Sequence, residues 1–191
     1  GIDMRIFDCF MYFDEDLILD ARLNILDKYV DFFIIVESKY NHKGEKRSLK
    51  LDLEKFKKFK NKIKYIVVDK FPENLTNWGR ENYQRNFISK GLEDANDEDY
   101  IIISDADEIP NLEEILNKKI EKFTAFKQKL FYYKINLLNK TEPFWYGSKI
   151  CKKKYLKSPQ WLRDQKVKKY SFWKFYKIKW NIIENGGWHF S

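Results

Sequence analysis

A chain of 191 residues with 43% hydrophobic and 18% aromatic residues is long enough for one domain with a sizeable core and too apolar to be disordered. It has no run of about 18 apolar residues, which excludes a membrane-spanning helix, and no charged-then-apolar start, which excludes a visible signal peptide. The net charge of +8, from 37 Lys plus Arg against 29 Asp plus Glu, attracts anions in general. Most of this excess reads as a solvated lysine surface, and nucleic acid is not expected as a partner.

The first half alternates strand and helix. Ile6 to Phe10 is a short strand. Asp14, Glu15 and Asp16 open a helix with acids in its first turn, where the dipole favours them. Leu17, Ile18, Ala21, Ile25, Leu26 and Tyr29 supply its apolar stripe. Phe32 to Val36 is a continuous apolar run, hence a buried strand. A basic amphipathic stretch, Leu53 to Lys60, leads to the strand Ile63 to Val68. Trp78 to Leu92 has helical spacing, and Tyr100 to Ser104 is the next strand. Strands separated by helices at this rhythm predict an α/β fold with a mostly parallel twisted sheet, in which ligands bind beyond the carboxyl ends of the strands.

The second half changes character. Asn111 is placed to cap a helix with Glu113 and Glu114 in its first turn. Phe126 to Ile135 and Ser171 to Ile183 are aromatic and roughly alternating, which predicts a smaller mixed or antiparallel part. The segment 149–179 interleaves lysines with aromatics, and is expected to line a binding cleft or touch a membrane surface. Cys9 and Cys151 are far apart and form no metal-spaced cluster, so they fit a reducing compartment or at most one disulfide.

The most specific chemistry lies at Ser104-Asp105-Ala106-Asp107-Glu108. An apolar strand delivers three carboxylates at its end, and Asp105 and Asp107, two apart, share a face of an extended backbone. Hard oxygen donors so placed suit Mg²⁺ or Mn²⁺, which keep water and substrate phosphates as their other ligands. An acidic turn after a strand is the alternative explanation for a pattern this short.

The surrounding motifs narrow the choice. Asp8-Cys9-Phe10, Asp14-Glu15-x-Leu17, Arg22-Leu23-x-x-Leu26 and Ile35-Val36-Glu37-Ser38 resemble the opening of glycosyltransferase family 17, the family of the β-1,4-mannosyl-glycoprotein 4-β-N-acetylglucosaminyltransferases. The likeness continues through Phe71-Pro72, Trp78-x-Arg80-Glu81-x-x-Gln84-Arg85-Asn86 and Ser104 to Pro110, and ends at Gly187-Trp188-His189-Phe190-Ser191. The resemblance implies a GT-A-like fold over a single catalytic domain, 1–191, with a donor half (1–110) and an acceptor half (111–191). It also implies a divalent metal, a nucleotide-diphosphate sugar donor (a UDP-sugar, N-acetylglucosamine foremost), a glycan acceptor and transfer with inversion. The family usually extends past the Gly-Trp-His segment, so the chain is a compact member or a C-terminally shortened piece. As read it is cytoplasmic, or lumenal to the Golgi if an anchor precedes residue 1. Its oligomeric state stays open.

On that basis Asp105 and Asp107 are expected to anchor the metal, and His189 is placed either as a further metal ligand or as a core histidine. Arg80 and Arg85 are the candidates for the donor diphosphate, because the guanidinium fork matches phosphate oxygens. Arg85 could equally pair with Glu81, four residues earlier. Gln84, Asn86 and Glu37 are expected at the nucleotide, with Asp105 beside them. An inverting transfer needs one general base; Glu108, Asp164 and Glu184 are eligible, and Asp164 is favoured because it lies in the acceptor half near Trp161 and Arg163. Two rival classes remain. One is a metal-dependent phosphotransferase, against which no Gly-rich phosphate loop is present. The other is a non-catalytic carbohydrate- or anion-binding module, which would not need the acid triplet.

Overall fold

The computed structural model describes residues 4–116, 120, 122–131 and 143–190. A mixed sheet forms its centre. The strands are β1 (Ile6–Met11), β2 (Phe32–Ser38), β3 (Ile63–Val68), β4 (Tyr100–Ile103), β5 (Glu108–Pro110), β6 (Phe123–Phe131), β7 (Phe144–Lys152), β8 (Asn181–Ile183) and β9 (Gly187–Phe190). They run in the order β3-β2-β1-β4-β7-β6-β9-β5, with β8 pairing β6 off that path. The four strands of the first half are all parallel. Strand β7 then joins antiparallel to both β4 and β6, while β8 and β9 run parallel to β6. The sheet is therefore mixed, with a parallel first half and the mixed second half that was expected.

Alternation along each strand builds two apolar layers. Phe10, Phe33, Ile35 and Ile102 face one side, where helix α1 (Asp16–Leu26) adds Leu19, Leu23 and Leu26. Phe7, Cys9, Ile34, Ile101 and Ile103 face the other, covered by Ile88, Leu92 and Leu162. These last come from the 3₁₀ turn after helix α2 (Asn77–Asn86) and from helix α4 (Pro159–Asp164). Helix α3 (Glu113–Leu116) is a single turn after β5. Thr76 caps α2 through Gly79 N, and Ser158 caps α4 through Trp161 N, with Pro159 in its first turn. Both cysteines are free and buried.

Several expectations are corrected. The stripe assigned to α1 is rotated: Leu17 and Ile25 are exposed, and the buried face is Leu19, Arg22, Leu23 and Leu26. Apolar counting misplaced the face because one of its buried members is an arginine. The helix expected over 78–92 is α2 followed by a tighter 3₁₀ segment, Phe87–Leu92. The side-chain amide of Asn111, expected as a cap for α3, donates to Asn185 O. In the strand expected over 126–135, β6 begins three residues earlier, and 132–135 lie outside the described residues. Of the strand expected over 171–183, only 181–183 is strand; the aromatic part before it is a series of turns. Strand β7 was not foreseen. It contains Gly147, where an added Cβ would stand 2.5 Å from the Glu108 carboxylate, so glycine is needed to let β7 approach β5.

Candidate functional site

The loop from β4 to β5 carries Asp105, Ala106 and Asp107. It lies at the carboxyl ends of the parallel strands β1 and β4, where an α/β sheet opens its ligand crevice. A cavity of about 160 Å³ opens there, walled by Met11, Phe13, Glu15, Glu81, Asp105 and Asp107.

The loop is held from three sides. From the α1 face, Arg22 forms a fully buried pair with Asp8 on β1, at 2.7 and 2.8 Å. Its remaining nitrogen donates to the carbonyls of Asp105 and Ala106, both at 3.2 Å, and to that of Glu108. From the opposite face, Arg85 on α2 meets Asp105 at 3.2 Å and Glu81 at 3.4 Å, and also donates to Gln160. From α4, Arg163 bridges the two acids, with Nη2 at 2.9 Å from Asp105 and Nη1 at 2.6 Å from Glu108. Charges buried this deeply persist only when paired and hydrogen-bonded.

Glu108 is completely buried. One carboxylate oxygen accepts from Asp105 N at 2.7 Å and from Arg163; the other accepts from Trp145 Nε1 at 2.6 Å and from Arg163 Nη2 at 3.1 Å. A carboxylate so enclosed has no oxygen turned to an incoming hydroxyl. Glu108, expected as an eligible base, is thus tied to the Asp105 amide, Trp145 and Arg163.

Asp107 is one-third exposed and lines the cavity. His189 on β9 stands with Nε2 at 3.4 Å from Asp107 Oδ2, brought there because β9 pairs β5 with His189 opposite Glu108. Gly187 at φ +109 lets β9 start against β5, since a Cβ there would meet Asn111 N at 2.8 Å. The imidazole's other nitrogen, Nδ1, is buried with no hydrogen-bond partner among the described residues. Burial works against the charged imidazole, but the hydrogen bond and field of Asp107, with Glu108 and Asp105 behind it, outweigh burial and raise its pKa.

The remaining expected residues disperse. Glu37 is fully buried and satisfied by Arg47, the Lys50 and Leu51 amides and Tyr65. These contacts tie it to the 47–51 loop. Gln84 is fully buried between His42 and Val36 O, and the Asn86 side-chain oxygen accepts from Gln160 N at 2.9 Å. Both tie elements together, where nucleotide contacts were expected. Arg80 departs from Arg85: it donates to His42 O and Asn77 and lines a separate cavity of about 260 Å³ with Tyr40, Lys70 and Phe71. Asp164 is exposed, accepts from Gln160 at 2.7 Å, and lines a cavity of about 410 Å³ with Phe144, Trp145, Lys149 and Arg163. Glu184 is exposed and pairs with Lys127.

Arg22, Arg163, Gln160 and Trp145 are site-building residues that sequence reading missed. For Arg22 a signal existed: it is the one polar position of the face formed by Leu19, Leu23 and Leu26, and Asp8 is the acid inside the apolar strand opposite.

The sequence profile of glycosyltransferase family 17 matches residues 2–191. The chain belongs to glycosyltransferase family 17. Among curated proteins it is similar to the β-1,4-mannosyl-glycoprotein 4-β-N-acetylglucosaminyltransferases of Homo sapiens and Rattus norvegicus, each 33% identical over 113 residues, and of Mus musculus, 32% identical over the same length. Each alignment covers 54% of this chain and 21% of the relative, so the chain matches about a fifth of those proteins. Within this family 17 domain the acid loop, its three arginines and His189 form one connected constellation.

Proposed function

We propose that this family 17 domain has a GT-A-like architecture and transfers a sugar, N-acetylglucosamine foremost, from a UDP-sugar to a glycan hydroxyl with inversion. The observation that carries the reading is the carboxylate-walled cavity at the ends of β1 and β4, with Asp107 exposed in it and Asp105 steadied by Arg85 and Arg163.

A divalent cation fits that donor set. Its walls offer Glu15, Glu81, Asp105 and Asp107, hard oxygens of the kind Mg²⁺ and Mn²⁺ select. Among the described residues no three acidic or imidazole groups converge into a finished cage, and Asp105 is engaged by two arginines. Asp107 would therefore hold the ion, with His189 beside it and water and donor phosphates completing the shell. Bound there, the ion would neutralise the leaving diphosphate.

The protein's own groups do the rest. Arg85 and Arg163 hold Asp105 in place, so the loop needs no reorganisation when the diphosphate departs. In the transfer, the acceptor oxygen bonds to the anomeric carbon, the bond to the diphosphate oxygen breaks, and the hydroxyl proton passes to a carboxylate. Asp164, exposed on the neighbouring cavity beside Arg163, is the carboxylate assigned that proton. Trp145 and Phe144 on the same wall offer apolar faces to an acceptor sugar.

The test is a thermal-shift series with UDP, UDP-N-acetylglucosamine and other nucleotide sugars, with and without Mn²⁺, on wild type and Asp107→Asn. Stabilisation by UDP that needs Mn²⁺ and disappears in Asp107→Asn supports the proposal. A series in which no nucleoside diphosphate stabilises the protein at saturating Mn²⁺ overturns it.

A further inference from the structure

Between Asp164 and Glu184 the chain has no acidic residue, six lysines and six aromatic residues. Residues 171–177 form two successive tight turns, closed by Lys174 N to Ser171 O at 2.9 Å and by Lys177 N to Lys174 O at 3.0 Å. The base of the segment is tied by Trp180 Nε1 to Lys166 O, also at 2.9 Å. These turns display Phe172, Trp173, Phe175 and Tyr176 at 84, 63, 82 and 70% exposure. The rings pair locally, Phe172 with Trp173 at 5.3 Å and Phe175 with Tyr176 at 6.3 Å, and among the described residues no other element covers them.

Four large aromatics on one short segment are a contiguous apolar surface of the kind that marks an interaction site. Their surroundings identify the occupant. Lys168, Lys169, Lys174, Lys177 and Lys179 flank the rings, and Lys122, Lys154 and Lys157 line the cavity of about 890 Å³ that begins at Phe175 and Tyr176. Phe172 and Phe175 have no polar handle, so a fully aqueous polyanion would leave them wet. An anionic bilayer takes both features at once: its headgroups meet the lysines, and its interfacial zone takes the rings, Trp and Tyr at the boundary and Phe below.

We propose that the 168–179 turn is a membrane-docking element that seats the domain on an anionic phospholipid surface, with the rings of Phe172, Trp173, Phe175 and Tyr176 in the interface and the flanking lysines on the headgroups. Among the described residues no helix is long and apolar enough to cross a membrane, and the proposed contact is an interfacial one. The adjoining lysine-lined cavity takes a headgroup phosphate.

Co-sedimentation of the whole chain with vesicles of phosphatidylcholine alone, or mixed with phosphatidylglycerol, decides the matter. Binding is expected only to the anionic vesicles, with a blue shift of tryptophan emission as Trp173 leaves water. Phe172→Ser/Phe175→Ser should weaken binding at least about tenfold at unchanged melting temperature, since interfacial binding scales with buried apolar area. Absence of binding to anionic vesicles overturns the proposal. So does wild-type binding by the double serine variant combined with loss in Lys174→Glu/Lys177→Glu, which would mark a plain polyanion site; an oligonucleotide that displaces the vesicles from both proteins would overturn it in the same way. A wild type that is dimeric in gel filtration while the double serine variant is monomeric would assign the patch to a second copy of the chain instead.

Discussion

Arg22 and Asp8 form an ion pair that solvent does not reach, with both side chains at 0% exposure. The pair sits beneath the acid loop, and Arg22 directs its third nitrogen to the carbonyls of Asp105, Ala106 and Glu108. The opening motif of the chain thus sets the backbone path of residues more than eighty positions later. Its guanidinium also lies 4.6 Å from the centre of the Phe10 ring, which fixes its plane.

Removing one partner of such a pair leaves a buried charge uncompensated. Arg22→Met should therefore destabilise the fold by about 3–5 kcal/mol. Asp8→Leu/Arg22→Met should recover part of that loss, because two apolar groups replace two charges. Urea unfolding of the three variants and wild type measures both steps, with Asp8→Leu as the third. A single variant as stable as wild type would show that the pair does not carry the loop.

The parts of the fold legible in the sequence are those where side chains report only burial. Strands β1, β2 and β4 are near-continuous apolar runs because both faces are covered, and the spacing of β1 to β4 by helices gave the parallel order. Strand β7 was hidden because its buried positions include Ser148 and Lys149, placed there by the hydrogen-bond network behind the acid loop. The run 171–180 looked like a strand because its rings are interspersed with lysines, yet Phe172, Trp173, Phe175 and Tyr176 are exposed. In the site, Asp105 and Asp107 were visible because two neighbours at a strand end make their own pattern. The contacts of Arg163 with Asp105 and Glu108 span 58 and 55 residues, and no local spacing announces them.

Arg163 is a fork: Nη1 donates to Glu108, and Nη2 is shared between Asp105 and Glu108. Arg163→Lys keeps one charge but cannot reach Asp105 and Glu108 together in this geometry. Losing one charge-assisted hydrogen bond costs about 1.5–3 kcal/mol. If that cost falls on the transition state, sugar transfer should slow by about tenfold or more, with a smaller change in KM for the donor. Steady-state kinetics with the donor identified by the thermal-shift series gives the split. Unchanged kcat would confine Arg163 to the fold.

His189 should make the metal-free protein more stable on the acid side of neutrality. Its folded pKa lies above the unfolded value, near 6.5, so the Asp107 contact contributes fully below that pH. The contribution fades as pH rises through the elevated folded pKa. His189→Asn should flatten this part of the curve. Chemical denaturation of both proteins at several pH values, with chelator present, tests it. Parallel stability curves for wild type and variant would contradict the assignment.

Lys149 gives the opposite slope. It is almost fully buried on β7, with Nζ donating to Arg163 O and Gln165 O, both at 2.7 Å. Burial, helped by the charge of Arg163, lowers its pKa from 10.5 to about 8. Between those two values the unfolded chain binds the proton and the folded chain does not, so stability contributed at this site rises with pH across that window. Below about pH 8 both states carry the charge and the folded state bears the full penalty. Lys149→Met removes the titration while leaving two carbonyls without their donor. Other lysines and the tyrosines titrate alike in both proteins, so the difference between their unfolding free energies isolates Lys149. That difference should grow in favour of wild type as pH is raised from about 8 towards 10, with the shift per pH unit bounded by about 1.4 kcal/mol. A difference constant over that range would mean that Lys149 keeps its proton, and that the two carbonyls together hold the ammonium well enough to offset its burial.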